Sequence, residues 1–323
     1  MSEMYPLSGL PSTLELNFFQ GGDPEISANL ETWIHDLQQG SSGKIICKRN
    51  TPGNRAHLPS LEIPGGRGSI IAYHFMPQGP EEEAFRELLW QKTQQEGEEK
   101  TDAQEQEPPP DPIEIFLFVA NQCPNCPKAV RTIHTLALSP NGPALDTHLF
   151  EATKSPALVE RYQVKSVPTL LIQKQFRFVG TPDPEKLSTL LQSGSSSEFL
   201  QEQIRQQVEG GEAPEAGKKI SGMEDSMFLL EDLRNSTFQS RIGWLLALEE
   251  ALEMKPTCLD PLVEGILSLL EGADTSLRGD LADLLGKIGR PEALPGLEGL
   301  CRDQNPDVVE AAKDAIEEIQ SKL

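Results

Sequence analysis

The clearest pattern of apolar and polar positions lies in the middle of the chain, between residues 112 and 192. A nearly continuous apolar run at 113–120, rich in Ile, Phe and Val, has the character of a buried strand. Farther along the chain, four apolar residues that share one face predict a helix: Val130, Ile133, Leu136 and Ala137. The predicted order β-α-β-α-β-β-α is completed by strands at 145–150, 167–172 and 176–179 and helices at 156–162 and 184–191.

The first 93 residues carry a weaker form of the same pattern. The tetrapeptide Leu58-Pro59-Ser60-Leu61 has the form of Val167-Pro168-Thr169-Leu170 and is expected to open a strand. Cys47 follows Ile45 and Ile46 in another strand and is interpreted as a core thiol. The predicted order β-α-β-β-β-α comes from strands at 14–19, 44–47, 58–61 and 69–75 and helices at 25–37 and 81–90.

From residue 240 onward the chain is predicted to be helical and contains a repeat. A shift of 31 residues places the apolar positions of 277–288 on those of 308–319. Helix pairs that repeat in this way stack into an α-solenoid, each pair burying its apolar face against the next. Cys258 and Cys301 lie 43 residues apart here and are interpreted as packed thiols.

Two stretches without hydrophobic periodicity separate these segments. Residues 94–111 are acidic and contain three consecutive prolines. Residues 193–219 are rich in Ser, Gln, Glu and Gly and predict a flexible linker with room for a short helix at about 198–208. The predicted fold class is therefore α/β followed by all-α. Its domains are 1–93, 112–192 and 220–323, joined by linkers at 94–111 and 193–219.

The 323 residues include 50 acidic and 28 basic side chains, which gives a formal net charge of −22. This charge argues against nucleic acid or an anionic membrane as a partner, because both would repel the protein. No apolar run approaches the roughly 20 residues of a membrane span, and the N-terminus lacks the pattern of a secretion signal. Since five cysteines in so long a chain are not a disulfide framework, we expect a cytoplasmic protein.

The negative charge is unevenly distributed along the chain. Residues 112–192 contain six acids and eight bases, a net charge of +2, so the remainder of the protein carries −24. Because the acidity belongs to the accessory segments, it bears on partner choice and not on the chemistry of the middle segment. A basic protein partner is the expectation for the acidic C-terminal segment.

The candidate chemistry lies in Cys123-Pro-Asn-Cys126, between a predicted strand and a predicted helix. The first helical turn brings the two sulfurs together, and its free N–H groups and dipole stabilise a thiolate. We expect Cys123 to be the exposed nucleophile and Cys126 the resolving thiol, with Pro124 and Asn125 forming the loop between them.

Two other interpretations of this pair stay open. The cysteines could be half of a zinc site, with His134 and His148 as the nearest further ligands, or an incidental pair of core residues. The position between a strand and a helix favours the redox pair. In that case no bound metal or cofactor is expected, because the Cys123–Cys126 pair itself carries two electrons when it is reduced to two thiols and loses them when the disulfide forms.

With Val167-Pro168-Thr169 placed 45 residues after Cys123, segment 112–192 resembles the thioredoxin and glutaredoxin family. The resemblance implies that Pro168 is a cis-proline that faces the cysteines and presents backbone groups to the substrate. Gln122 stands where thioredoxins carry a tryptophan, and Leu117 lies near the position of their buried aspartate. Another base or water is therefore expected to accept the proton of Cys126, because His134 is interpreted as a surface or boundary residue.

A degenerate fold followed by one with two cysteines resembles the N-terminal domain of the alkyl hydroperoxide reductase flavoprotein subunit and tandem protein disulfide oxidoreductases. The resemblance covers about residues 13–191 and rests on Leu58-Pro59-Ser60, Ser166-Val-Pro-Thr and the cysteine motif. It implies a relay of electrons from a reductase to a protein disulfide or a thiol peroxidase. Glu81, at the start of a predicted helix, is expected near the redox site.

The C-terminal motif Leu284-Leu285-Gly286-Lys287-Ile288-Gly289, with Glu292-Ala293-Leu294, resembles HEAT repeats of the short bacterial type. That family generally provides protein-binding surfaces, so the resemblance implies that residues 220–323 recruit or orient a partner.

Two functions follow as hypotheses. The first is a thiol-disulfide oxidoreductase that acts on protein disulfides through Cys123 and Cys126. The second is a non-catalytic interaction scaffold in which the two cysteines form a redox-sensitive latch. A catalyst should have a Cys123 thiol pKa well below the ordinary value of about 8.5 and should reduce disulfides, whereas a scaffold should do neither.

Overall fold

The computed structural model describes residues 5–51, 53, 55–98 and 112–322. Most of the predicted linker at 94–111 lies outside these residues. The chain divides into two compact units at residue 195, and each is described by itself: unit 1 precedes this point and unit 2 follows it.

The first half of unit 1 follows the predicted order. Its elements are β1 (Leu14–Phe19), α1 (Pro24–Gly40), β2 (Ile45–Asn50), β3 (Ser60–Pro64), β4 (Ile70–Tyr73) and α2 (Pro80–Glu98). Helix α2 continues into the first residues of the predicted linker, at 94–98, because Gln and Glu favour helix when no proline interrupts them.

The second half of unit 1 also has the predicted order β-α-β-α-β-β-α. Its elements are β5 (Ile113–Val119), α3 (Cys126–Leu138), β6 (Leu145–Glu151), α4 (Pro156–Arg161), β7 (Thr169–Ile172), β8 (Phe176–Val179) and α5 (Pro184–Ser193). The apolar residues of β5 from Ile115 onward are fully buried, as their continuous run predicted.

The two halves share one eight-stranded sheet with the order β2-β1-β3-β4-β6-β5-β7-β8. They meet where β4 pairs in parallel with β6, in a register that places Tyr73 opposite Leu149. Strands β1, β4, β5 and β6 all run in the same direction, whereas β3 and β7 run against them. We call the edge at which these four parallel strands end the carboxyl edge.

Polar side chains also join the halves within unit 1. The Tyr73 hydroxyl lies 2.9 Å from Nε2 of His134, and Arg131 Nε donates to Glu87 Oε2 over 2.8 Å. His134 is therefore not the surface or boundary residue that the sequence predicted. It is buried, and burial lowers its pKa to about 3, so it is neutral at physiological pH.

A chain of histidines crosses the same junction on another face. Nε2 of His74 lies 2.9 Å from Nδ1 of His148, and Nδ1 of His74 lies 2.8 Å from the Pro59 carbonyl oxygen. His57 packs edge-on against both rings, and burial lowers its pKa to about 4. Polar groups of each half therefore find their hydrogen-bond partners in the other half.

Unit 2 is entirely helical in the residues described. Its α-helices are α6 (Ser196–Glu209), α7 (Ala213–Ser221), α8 (Phe228–Asn235), α9 (Phe238–Met254), α10 (Val263–Leu270), α11 (Thr275–Ile288), α12 (Leu294–Leu300) and α13 (Pro306–Ser321). Among the described residues of the whole chain, none of the helices has the length and apolarity to cross a bilayer.

The short helix expected at about 198–208 is present, whereas the flexible linker predicted for the rest of 193–219 is wrong for most of its length. Helices α6 and α7 occupy 196–209 and 213–221 and bury Ile204, Val208, Ala216 and Ile220 in the core of unit 2. These residues recur at a spacing of four, which gives each helix one apolar face. The surrounding Ser, Gln, Glu and Gly hide that spacing when composition alone is considered.

The predicted repeat corresponds to two helices that pack together. Helix α11 lies against α13, and the apolar positions related by 31 residues face a common core. At the contact, a Cβ on Gly286 would lie 2.8 Å from Cα of Ala315, so the helices approach more closely than any other residue would allow. The assignment of this unit to HEAT repeats stays a prediction.

Candidate redox site

The two cysteines of the motif lie at the carboxyl edge of the sheet, in the loop from β5 to α3. Cys123 and Cys126 are joined as a disulfide with their Cα atoms 5.4 Å apart. Cys126 is the first residue of α3 and is fully buried, whereas Cys123 is partly exposed. Only the sulfur of Cys123 is therefore open to a large reactant.

The start of α3 is arranged to stabilise charge on Cys123. The backbone N–H of Cys126 donates to Cys123 Sγ over 3.1 Å. Asn125 is the N-cap residue, and its side chain makes no capping hydrogen bond. A hydrogen bond to the thiolate favours the ionised form and adds to the effect of the helix dipole.

The loop residues Pro124 and Asn125 are exposed on either side of this contact. The Asn125 carbonyl oxygen accepts a hydrogen bond of 3.3 Å from the Thr181 hydroxyl, which ties the loop to the segment after β8. Pro127 occupies the first turn of α3, where its missing N–H costs little.

Pro168 lies opposite the cysteines, where the sequence predicted it. The Val167–Pro168 peptide bond is cis, and Pro168 is buried immediately before β7. Sγ of Cys123 lies 3.6 Å from the Val167 carbonyl oxygen. The structure thus brings Cys123, Cys126 and Pro168 together, while the substrate-positioning role of Pro168 stays a prediction.

Leu117, which the resemblance places near the buried aspartate of thioredoxins, is fully buried and supplies no ionisable group. An acid from the first half lies at the same carboxyl edge. Glu81 is almost completely buried at the start of α2, and neither of its carboxylate oxygens has a hydrogen-bond partner among the described residues. Burial raises the pKa of Glu81 above its ordinary value.

The surroundings of Glu81 connect it to the redox loop. Helix α2 packs against α3, and the Glu81 carboxyl interacts electrostatically with Arg131 of α3 and with Glu151 at the end of β6. Just before α2, Oε1 of Gln78 lies 3.5 Å from Nδ2 of Asn121, two residues before Cys123. The first half therefore places a buried acid beside α3 and a loop residue beside Asn121, close in sequence to the cysteine motif.

The corresponding loop of the first half is closed. Between β1 and α1 the chain reads Gln20-Gly21-Gly22-Asp23, without a cysteine. Gly22 has a φ of +66°, and a Cβ there would collide with the carbonyl oxygen of Leu58, which precedes the cis-proline Pro59. Gly22 thus faces the carbonyl that precedes a cis-proline, as Cys123 does in the second half. The space beside Gly22 is too small for a side chain.

Two of the other three cysteines have thiols that burial keeps protonated. Burial raises the pKa of Cys47 to about 11, and it also raises the pKa of Cys258. Cys301 is partly buried near the end of α12. No cluster of three or more His, Cys, Asp or Glu suited to a metal ion occurs among the described residues. His134 is hydrogen-bonded to Tyr73, and His148 is hydrogen-bonded to His74.

Comparisons with known proteins agree with this geometry for the second half of unit 1. Residues 113–192 match the family described as the thioredoxin domain. A thioredoxin of Methanocaldococcus jannaschii is 29% identical over 75 residues, which are 23% of this chain and 87% of that protein.

Two solved structures resemble a larger part of the chain. The alkylhydroperoxide reductase AhpF of Enterococcus faecalis is 18% identical, and the match covers 57% of this chain and 95% of that one, with a TM-score of 0.45. A protein disulfide oxidoreductase of Aeropyrum pernix is 17% identical, and the match covers 59% of this chain and 89% of that one, with a TM-score of 0.45.

Proposed function

Since residues 113–192 form a thioredoxin-like domain, we propose that the protein is a thiol-disulfide oxidoreductase that acts on protein disulfides through Cys123 and Cys126. The observation that carries the proposal is the pairing of one accessible sulfur with one buried sulfur at a helix N-terminus, opposite Pro168. This arrangement allows attack on an external disulfide by Cys123 and an internal second step by Cys126.

In the first step of the reductive direction, the Cys123 thiolate attacks one sulfur of a substrate disulfide. The substrate S–S bond breaks, a mixed disulfide forms with Cys123, and the other substrate sulfur leaves as a thiolate that takes up a proton. The backbone around Pro168 positions the substrate segment, and the carbonyl oxygen of Val167 is already 3.6 Å from the attacking sulfur.

In the second step, the Cys126 thiol loses its proton and its sulfur attacks Sγ of Cys123. The mixed disulfide breaks, the substrate leaves as a second thiol, and the Cys123–Cys126 disulfide forms. The substrate has gained two electrons and two protons, which the two thiols have lost. Glu81 accepts the proton of Cys126, because it is a buried carboxyl without a hydrogen-bond partner among the described residues and lies beside α3.

The oxidised pair must be reduced again by a second protein with its own dithiol, such as a flavin-linked reductase. A thiol peroxidase is a suitable electron acceptor, because a disulfide formed during its turnover is a protein disulfide that the Cys123 thiolate can attack. Residues 220–323 serve as a partner-binding module.

We expect the reduced protein to accelerate the reduction of insulin disulfides by a small dithiol, and the Cys123→Ser variant to lose this activity completely. The pKa of the Cys123 thiol should lie well below about 8.5, because the Cys126 N–H and the helix dipole stabilise its thiolate. Alkylation of the reduced protein across a pH series measures this value, and Cys301→Ser is the matched control. Full activity in Cys123→Ser would refute the proposal and favour the scaffold.

We expect Glu81→Gln to lower insulin-reducing turnover by about 100-fold, the lower end of what a general acid–base group contributes. The same substitution should raise the melting temperature at pH 8. Burial raises the pKa of Glu81 in the folded protein above its ordinary value of 4.5. The stability that this group contributes is therefore fully present below pH 4.5 and is lost as the pH rises through the folded-state pKa.

The stability advantage of Glu81→Gln over the wild type should therefore widen from pH 4 to pH 8, as measured by thermal melts across that series. Glu83→Gln, an exposed position on the same turn of α2, is the control and should alter neither turnover nor stability. A less stable Glu81→Gln protein with unchanged turnover would show that Glu81 is structural.

A further inference from the structure

Helix α9 of unit 2 carries apolar side chains on two opposite sides. The inner side includes Trp244 and Leu248, which are buried in the core of the unit. On the outer side, Phe238, Ile242 and Leu246 are 67%, 47% and 51% exposed. We call these three outer residues the α9 stripe. A helix that is apolar on both sides is typical of one that is covered on both sides.

The geometry of the α9 stripe makes it a continuous surface. Its members are spaced by four residues, so they lie side by side on one face and extend over about 12 Å of helix. Single exposed apolar residues are normal on a protein surface, but a contiguous row rimmed by polar groups marks an interaction site.

The same face of α9 becomes acidic in its last two turns. Glu249 and Glu253 continue the row at the helical spacing, and Glu253 is exposed. Glu249 is paired with Lys287 of α11, which is also paired with Asp283. Beyond the stripe, residues 196–323 contain 26 acidic and 12 basic side chains, a net charge of −14.

We propose that the α9 stripe binds a basic amphipathic helix of a partner protein. The apolar residues of the partner lie over Phe238, Ile242 and Leu246, and its Lys or Arg side chains lie over the acidic end at Glu253. The outer face of α9 is apolar at its N-terminal end, where the α9 stripe lies, and acidic at its C-terminal end. This charge pattern fixes the direction in which the partner helix lies.

A second copy of the chain is a poor occupant of this surface. If two copies faced each other through α9, two copies of unit 2, each with a net charge of −14, would come together and repel each other. The acidic ends of the two α9 helices would also offer each other no basic partner. The docking surface is independent of the redox chemistry, so its test does not rest on the activity of Cys123.

The test uses the full chain and two synthetic helices of about 18 residues, a length that can hold helical structure. One peptide has leucines spaced by four followed by lysines, and the second has glutamates in place of the lysines. We expect saturable binding of the lysine peptide by fluorescence anisotropy, weakened by salt, and no binding of the glutamate peptide.

Leu246→Ser should weaken binding of the lysine peptide at least about tenfold, as loss of a central apolar anchor does. Met227→Ser is the matched control, because Met227 is also 51% exposed but lies outside the α9 stripe. Glu253→Gln should reduce the salt dependence, and all three variants should keep wild-type insulin reduction.

Three results would overturn the proposal. These are the absence of saturable binding, equal binding of both peptides, or equal loss of affinity in Leu246→Ser and Met227→Ser. Concentration-dependent self-association that Leu246→Ser abolishes, as seen by analytical ultracentrifugation, would assign the surface to a second copy instead.

Discussion

A Cys126→Ser variant is expected to accumulate a stable mixed disulfide between Cys123 and its substrate protein. Cys123 is accessible and can complete the first exchange, but the buried sulfur that would release the substrate is missing. Multiple turnover should fall by about 1,000-fold or more, as with the loss of other covalent nucleophiles. The trapped complex is measured by non-reducing electrophoresis, and mass spectrometry identifies the partner.

The control for this trap is the Cys123→Ser, Cys126→Ser double variant, which should capture nothing because it lacks the attacking sulfur. Addition of dithiothreitol should release the partner from the single variant. If the single variant traps no protein and the wild type reduces no disulfide, the scaffold hypothesis replaces the enzyme.

The second large effect is expected for Gly22→Ala in the first half of unit 1. Gly22 has a φ of +66°, and the new Cβ would collide with the backbone carbonyl of Leu58. A left-handed conformation costs an alanine about 1–2 kcal/mol, and the steric conflict adds about 1–3 kcal/mol. The free energy of unfolding, measured by urea denaturation, should fall by roughly 2–5 kcal/mol.

Gly43→Ala separates the two contributions to this loss. Gly43 has a φ of +81° but no atom within 4 Å of an added Cβ. We expect Gly43→Ala to cost only the left-handed conformation, about 1–2 kcal/mol. Equal losses at the two positions would show that the loop at Gly22 can move away from Leu58.

Much of the second half could be predicted from the sequence because its signals are local. The apolar run of β5 is nearly continuous, the cysteine motif begins a helix with a clear apolar face, and Pro168 precedes a short buried strand. Each element is therefore specified by its own residues. The contact between Cys123 and Val167 follows once these elements occupy the expected fold.

The junction of the two halves could not be predicted in the same way. Strand β4 has only four residues. Its pairing with β6 joins segments about 75 residues apart through backbone hydrogen bonds, which do not depend on the identity of the side chains. The burial of His134 depends on that pairing, since its partner Tyr73 belongs to the other half. The expectation of a boundary position was wrong for this reason.

The residues 193–219 show a different limit. Helices α6 and α7 bury only a few apolar residues each, and their remaining positions have the composition of a linker. Their stability comes from the core that other helices of unit 2 complete. A prediction that weighs composition above spacing finds only the core of α6 and misses α7.

The shared sheet also sets how much of a bound polypeptide is in contact with the protein. Strands β1 and β5 are separated by four strand spacings, and both end at the carboxyl edge, so Gly22 and Cys123 lie at points about 19 Å apart along it. An extended chain covers that distance with about six residues. The first half has no cysteine at this edge, yet its strands β1, β3 and β4 make up the part of that length that is farther from the reactive sulfur.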